Sequence, residues 1–274
     1  MIQEYAGGWK ARPMTGTIGV EVRGGVKLAD ADDATIQRVK KLVSHCCVVV
    51  FREQFMEPGA MPGFAGRLAK LSYTPGLEQN SNWRDVYRID NPGKENARTE
   101  DWHTDASFAQ KPAAYSAIGA ETIPEAGGDT MFLNQYISYE LLSEGYKRTL
   151  RGLRLRHVGV GQGPKGSTYA EWPQAIHPII RTHPETLRRS LFLNIPRLHG
   201  EIEGFSVAES EPIIKYLYAH SLGIDRMYRH RWAEGDFVIW DNRCTLHAAP
   251  HDYGDQTRTL YRVITEGEVP FDQD

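Results

Sequence analysis

The sequence predicts a mainly β protein with a few helices (α+β), in which a β-sandwich or barrel carries helices on one side. Short extended segments dominate from Trp83 onward, glycine-rich turns separate them, and only a few segments show helical periodicity. The chain has 274 residues, and all-β sandwiches and barrels reach roughly 200–250 residues as one domain. We therefore expect a single domain over residues 1–274, with helical additions.

The N-terminal part of the chain combines strands and helices. Residues 18–22 alternate weakly and are predicted as a strand, and Asp33 is expected to cap the helix that follows. One face of that helix carries Ile36, Val39, Leu42 and Val43. The apolar run 47–51 suits a buried strand. A second amphipathic segment carries Phe64, Leu68 and Leu71.

The remainder of the chain is predicted to form short strands and two further helices. The helices are expected over residues 137–153 and 209–220. The strands are expected over residues 86–89, 114–120, 130–133, 191–194, 237–240 and 259–264. Residues 159–172 are rich in glycine and have no periodicity, so they form either a mobile lid or an ordinary surface loop, which is the commoner case.

Composition narrows the class of protein. The net charge is −3, with acidic and basic residues mixed throughout, so neither nucleic acid nor a membrane is expected as a partner. Residues 1–15 lack the apolar run of a signal peptide. Three cysteines without a CxxC pair give no disulfide framework and no expected cysteine–metal site. We expect a cytoplasmic protein with reduced thiols that forms a homo-oligomer.

The strongest local signal for chemistry is Trp102-His103-Thr104-Asp105. In an extended segment, residues two apart point to the same side, so His103 and Asp105 can bind one cation. An imidazole with a carboxylate suits iron(II), and a second histidine would complete the arrangement of non-haem iron oxygenases. Because an HxD pair is common by chance, the interpretation depends on a third ligand elsewhere.

His247 is the favoured third ligand among the ten histidines. It follows an apolar strand that runs into the polar turn Asp241-Asn242-Arg243. His247 and His251 have the spacing of a helical zinc pair, but Pro250 lies between them and no glutamate follows His247. A zinc-protease site is therefore excluded, and His251 is expected at the surface.

Two arginines, Arg258 and Arg262, lie four residues apart on one predicted strand and therefore face the same side. Leu260 shares that side, which would otherwise be a core face. Guanidinium groups on a partly apolar inner face need anionic partners, because an unpaired buried charge is very costly. A bound carboxylate is one such partner, and an internal aspartate or glutamate is the alternative.

These elements together resemble the TauD/TfdA family of iron(II)- and 2-oxoglutarate-dependent dioxygenases. The resemblance rests on His103-x-Asp105, Gly127-Gly128-Asp129-Thr130, Trp240-Asp241-Asn242-Arg243, His247 and Arg258. It covers residues 18–271 and is most specific at 102–108 and 240–247. It implies a double-stranded β-helix (jelly roll) core with helices packed on one sheet. It also implies that 2-oxoglutarate and O2 are converted to succinate and CO2 while a small molecule is oxidised.

The resemblance assigns a role to each matching residue. His103, Asp105 and His247 would bind Fe(II), Arg258 would bind the distal carboxylate of 2-oxoglutarate, and Thr130 would add a hydroxyl hydrogen bond to that carboxylate. Arg262 corresponds to the arginine that binds the anionic group of the substrate, which implies a small organic acid.

The expected substrate pocket differs from that of the taurine enzymes. Tyr73 aligns with a pocket tyrosine, whereas Lys70 and Thr99 stand where the taurine enzymes have a histidine and an asparagine. These differences argue against taurine itself. Hydroxylation is the first expectation, and desaturation, cyclisation and O-dealkylation remain open because they share the first step. A non-catalytic binding module with the same barrel is the other alternative.

Overall fold

A computed structural model describes residues 3–5, 9–24, 27–72, 83, 85–91, 100–160, 166–193 and 200–273. In these residues the strands are β1 Gln3–Tyr5, β2 Trp9–Pro13, β3 Val20–Arg23, β4 Val48–Phe51, β5 Tyr87–Ile89, β6 Ala113–Thr122, β7 Thr130–Asn134, β8 Arg154–Val158, β9 Gln174–Pro178, β10 Ile180–Thr182, β11 Arg189–Leu191, β12 Met227–His230, β13 Phe237–Asp241, β14 Thr245–Ala248 and β15 Thr259–Glu266. The α-helices are α1 Asp33–Cys46, α2 Met61–Leu68, α3 Gln135–Glu140, α4 Glu144–Leu150 and α5 Val207–Ser221.

Two sheets face each other across an apolar core. The larger has the strand order β1-β2-β3-β4-β13-β6-β15-β5, and the smaller has the order β12-β7-β14. Phe132 of β7 packs between them with Trp240 of β13 and Leu260 of β15, and the Phe132 and Trp240 rings lie 5.6 Å apart. Within the described strands only β3 and β4 pair in parallel. This architecture confirms the predicted jelly roll.

Helices α1 and α2 cover the outer face of the larger sheet, as predicted. Phe237 and Ile239 of β13 join that outer core, and the Phe64 ring of α2 meets Phe237 edge-on at 5.5 Å. Val238 and Trp240 point to the opposite face, into the space between the sheets. Strand β13 is therefore buried on both faces, which explains its unbroken apolar sequence.

Helix boundaries differ from prediction at two places. Helix α1 is capped by Asp32, whose side chain accepts a hydrogen bond from the Thr35 amide, so the cap lies one residue before Asp33. The single helix predicted over 137–153 is wrong, because the chain forms α3 and α4 there. Ser143 caps α4 by accepting a hydrogen bond from the Tyr146 amide, and its extended backbone ends the preceding helical segment.

The glycine-rich segment and the possibility of a membrane-spanning helix concern larger features of the chain. The stretch 159–172 includes residues 161–165, which lie outside the described residues, so the lid stays a prediction. No helix in the described part of the chain has both the length and the apolar character needed to cross a membrane.

A buried ion pair organises the turn between β13 and β14. Asp241 is fully buried and accepts hydrogen bonds from Arg243 Nε at 2.8 Å and Nη2 at 2.6 Å. His183 Nε2 lies 3.0 Å from the same carboxylate. Burial alone would raise the pKa of Asp241, but Arg243 and then His183 hold it well below its usual range. The turn is thus fixed from the outer side of the sheet.

Arg243→Met should destabilise the protein by about 3–5 kcal/mol, because it leaves the buried Asp241 carboxylate without its main partner. Arg88→Met is the matched control, since the Arg88–Asp90 pair is 44% and 50% exposed and should contribute about 0–1 kcal/mol. Urea unfolding of both variants measures the difference. Equal losses in the two variants would contradict this account of the turn.

Candidate metal centre

His103, Asp105 and His247 converge on one point, as the sequence predicted. Each offers one ligand atom, and these three atoms lie within 4.8 Å of one another. His103 Nε2 is 4.0 Å from Asp105 Oδ1, and His247 Nε2 is 3.8 Å from Asp105 Oδ2. Ligands bound to one cation at roughly 2.0–2.3 Å have this mutual spacing.

The backbone brings the two histidines together. The His103 amide donates to the His247 carbonyl at 2.9 Å, and the His247 amide donates to the His103 carbonyl at 2.9 Å. This exchange attaches the segment with the HxD pair to β14, which itself pairs with β7. The imidazole rings then lie 4.1 Å apart. The backbone pairing of an isolated β-bridge at His103 with strand β14 thus places the two imidazoles side by side.

Both imidazoles can present a lone pair to a cation. His103 Nδ1 lies 2.7 Å from the Asp101 carbonyl, so it carries the proton and leaves Nε2 as the ligand atom. Burial, and then the neighbouring His103, lowers the pKa of His247 to about 3. His247 is therefore neutral at physiological pH, which is the form that binds a metal.

Asp105 supplies the charge of the site. Its Oδ2 accepts a hydrogen bond from Ser116 Oγ at 2.7 Å, and its Oδ1 accepts one from Arg262 Nη1 at 3.2 Å. Burial alone would raise the pKa of Asp105, but Arg262 and then His247 and His103 hold it far below its usual value. Two imidazoles and one carboxylate are the donor set that suits Fe(II) with open positions.

Arg258 lies beside the segment Gly127-Gly128-Asp129-Thr130, as the family pattern implied. It is buried, and its Nε donates to the Gly128 carbonyl at 3.0 Å. Gly128 has φ +68°, and a Cβ there would lie 3.0 Å from Arg258 Cδ. Only glycine suits this backbone and this close approach.

Thr130 has a defined hydrogen-bond direction. Its Oγ1 accepts from Trp232 Nε1 at 3.0 Å, and an indole N–H can only donate. The Thr130 hydroxyl proton is therefore free to be donated to another acceptor. Trp232 was missed by the sequence analysis, because a lone buried tryptophan outside a motif gives no functional signal.

Arg262 lies at the metal cluster, with its side chain 14% exposed. Only Nη1 donates to Asp105, and the buried Nε has no hydrogen-bond partner in the part of the chain that the structure describes. The sequence left an internal aspartate or glutamate open as the partner of Arg262. That partner is Asp105 of the candidate metal site, and Arg262 donates to it through one nitrogen rather than through the full guanidinium fork.

The other predicted pocket residues are not brought to the cluster in the described part of the chain. Lys70 is exposed, with its Nζ 3.4 Å from Glu266, whereas Tyr73 and Thr99 lie outside the described residues. The prediction that His251 lies at the surface is wrong. The residue is buried, and its Nε2 lies 2.8 Å from Asn91 Oδ1.

Comparisons with known proteins agree with this site. The model of the family described as "Taurine catabolism dioxygenase TauD, TfdA family" matches residues 10–264. The α-ketoglutarate-dependent sulfate ester dioxygenase of Pseudomonas putida is 31% identical, over 94% of this chain and 89% of its own. The α-ketoglutarate-dependent 2,4-dichlorophenoxyacetate dioxygenase of Burkholderia sp. (strain RASC) is 32% identical, over 85% and 86%. The crystal structure of a taurine dioxygenase from Burkholderia xenovorans has a TM-score of 0.85 and 30% identity, covering 97% of this chain and 93% of that one.

His247→Ala should abolish binding of Mn(II), a stable stand-in for Fe(II), because the site loses one of its three ligands. His220→Ala is the control, since that histidine is bonded to the Ser138 carbonyl at 2.8 Å and stacks on Tyr216. Titration calorimetry on the metal-free protein measures binding, and circular dichroism checks the fold. A folded His247→Ala variant with wild-type Mn(II) affinity would refute the assignment.

Proposed function

Because the chain belongs to the TauD/TfdA family of Fe(II)- and 2-oxoglutarate-dependent dioxygenases, we propose that it oxidises a small organic acid and releases succinate and CO2. Hydroxylation is the proposed outcome, with desaturation, cyclisation and O-dealkylation as alternatives that share the same site. The observation that carries the proposal is Arg262, a largely buried cation beside the candidate metal ligands whose Nε has no hydrogen-bond partner among the described residues.

His103, Asp105 and His247 hold the iron in this proposal. Bound Fe(II) supplies the activation of O2 that is coupled to decarboxylation of 2-oxoglutarate. These three residues would hold the metal and leave room at it for the cosubstrate and O2. The chain's own contribution is to fix these ligands and to hold both organic anions in place.

Arg258 and Thr130 bind the distal carboxylate of 2-oxoglutarate. The Arg258 Nε donates to the Gly128 carbonyl, and the guanidinium also interacts with Tyr253. These contacts orient the guanidinium, whose terminal nitrogens can donate to a carboxylate. The proton of the Thr130 hydroxyl is available because Trp232 already donates to its oxygen. Both groups lie on the sheet framework, so the binding site is largely formed before the ligand arrives.

Arg262 binds the anionic group of the substrate. Its Nε is buried and has no partner within the described ranges, and a buried polar group without a partner is costly, so a ligand that accepts this hydrogen bond is favoured. The named substrates of the two relatives, a sulfate ester and 2,4-dichlorophenoxyacetate, both carry such a group. Tyr73 and Thr99 are proposed to shape the rest of the pocket, whereas Lys70 is exposed beside Glu266 and is not assigned to it.

The contact between Arg262 and Asp105 favours a second candidate, in which the arginine only steadies the metal ligand and the substrate is neutral. The monodentate contact leaves most of the guanidinium donors unused by Asp105, and for that reason we prefer the anionic substrate.

Three wider assignments remain proposals. We propose that residues 1–274 form one domain, and that the enzyme works in the cytoplasm as a homo-oligomer without nucleic acid or membrane partners. The free thiols of Cys46, Cys47 and Cys244 support a reducing compartment. Light scattering on the purified protein measures its oligomeric state.

Arg258→Lys should raise the KM for 2-oxoglutarate about tenfold to a hundredfold, because lysine keeps the charge but loses the planar fork, and hydrogen bonds to charged groups contribute about 1.5–3 kcal/mol. The kcat at saturating cosubstrate should change much less. Arg188→Lys is the control, since Arg188 pairs with Glu140. An unchanged KM in Arg258→Lys would count against this role.

A screen of matched pairs, each an acid and its neutral ester or amide, should show succinate formation with acids only. Arg262→Gln should then raise the KM for the acid by about tenfold or more and leave that for 2-oxoglutarate nearly unchanged. Because Arg262 also contacts Asp105, Mn(II) titration of the Arg262→Gln variant checks that the metal site is kept. Turnover of neutral compounds alone would replace the proposal by the second candidate.

A further inference from the structure

Two residues outside the ligand set, Ser116 and Asn242, form a closed hydrogen-bonded ring with Asp105. The Asp105 amide donates to Asn242 Oδ1 at 3.2 Å, and Asn242 Nδ2 donates to Ser116 Oγ at 2.9 Å. Ser116 Oγ donates to Asp105 Oδ2 at 2.7 Å. Asp105, Ser116 and Asn242 are all buried, so water does not compete for these bonds.

The direction of every bond in the ring is fixed by groups that can only donate. Trp240 Nε1 donates to Asn242 Oδ1 at 3.0 Å, and the Asp105 amide donates to the same atom. An indole N–H and a backbone N–H have no acceptor capacity, so that atom must be the amide oxygen. The Asn242 nitrogen therefore donates to Ser116, and the only proton of the Ser116 hydroxyl is left for the Asp105 carboxylate.

The ring is built on the rigid centre of the larger sheet. Ser116 of β6 lies opposite Trp240 of β13, and the backbone N–H of Asn242 donates to the Ala114 carbonyl at 2.8 Å. Asp105 itself lies in a turn, next to Ala106 with φ +49°. The ring thus connects a ligand in an irregular segment to two paired strands.

We propose that Ser116 and Asn242 are positioning residues that set the orientation of the Asp105 carboxylate and thereby the affinity of the site for its metal. A carboxylate can rotate about its terminal torsion and bind a cation through one oxygen or both. With the Ser116 hydroxyl on Oδ2 and Arg262 on Oδ1, both oxygens have assigned partners. The carboxylate is then held in one rotational state before the cation binds. The inference concerns the metal site and does not depend on the identity of the substrate.

Ser116→Ala should weaken Mn(II) binding to the metal-free protein by about tenfold to a hundredfold, the range seen when groups that orient metal ligands are removed. Ser116→Thr keeps the hydroxyl and should restore the affinity. Ser221→Ala is the control, because Ser221 is equally buried and its Oγ bonds to Leu217 and Gln135. Titration calorimetry measures the affinity, and thermal unfolding of the metal-free variants measures the structural loss.

A double-mutant cycle with Asn242→Ala tests whether the two residues act as one unit. In that case the Ser116→Ala/Asn242→Ala variant should bind Mn(II) about as weakly as the weaker single variant. The absorption spectrum of the Co(II)-loaded Ser116→Ala variant should also differ from that of the wild type, since carboxylate coordination changes.

Three outcomes would overturn the proposal. One is a folded Ser116→Ala variant that matches the Ser221→Ala control in Mn(II) affinity. Another is a folded Ser116→Thr variant that binds no better than Ser116→Ala. The third is full additivity in the cycle. If Asn242→Ala does not fold, the comparison of Ser116→Ala with Ser116→Thr and Ser221→Ala still decides the question.

Discussion

The burial of an ionised carboxylate, Asp105, is the constraint on which the rest of the site depends. A buried charge is stable only when charged and hydrogen-bonding partners surround it. Before any cation binds, Arg262 supplies the opposite charge and Ser116 supplies a hydroxyl proton. The two imidazoles complete a set of donors that suits a divalent cation.

Strand β13 serves this site and the outer core at once, because successive side chains leave a strand on opposite faces. Trp240 and, just past the strand end, Asn242 lie on the inner side, where Trp240 packs 4.8 Å from the His247 ring. Asp241 and Arg243 lie on the outer side in the buried ion pair. The segment 240–243 thus contacts the candidate metal site on its inner side and forms the buried ion pair on its outer side. A substitution in either pair can therefore affect both stability and metal binding.

The positions of Arg258 and Arg262 follow from the same sheet. Arg258 precedes β15 and reaches the Gly128 carbonyl, whereas Arg262 lies within β15 and reaches Asp105. Their partners are different parts of the site, so two long cations can share one inner face without competing for one anion. This separation supports the proposal that Arg258 binds the cosubstrate and Arg262 binds the substrate.

The sequence by itself determined β3 to β7, β13 and β15, most of the helices and two of the three candidate metal ligands, because these depend on local spacing. A short apolar run predicted β13, a short extended run predicted β15, and the HxD spacing placed His103 and Asp105 on one side. Even so, the residues alone left the third ligand open, and the family resemblance was needed to select His247. The break between α3 and α4 was missed, because Ser143 in a polar stretch is an ordinary helical residue until its capping bond is seen.

Only the tertiary structure decided the contacts between distant segments. The bonds from the Asp105 amide to Asn242, from Trp232 to Thr130 and from Arg262 to Asp105 all join residues far apart in the chain. The burial of His251 likewise depends on Asn91, which is remote in sequence. Spacing along one strand states which face a side chain occupies. It cannot state which partner the opposite strand or turn brings to that face, because the register of the sheet and the path of the turns set that partner.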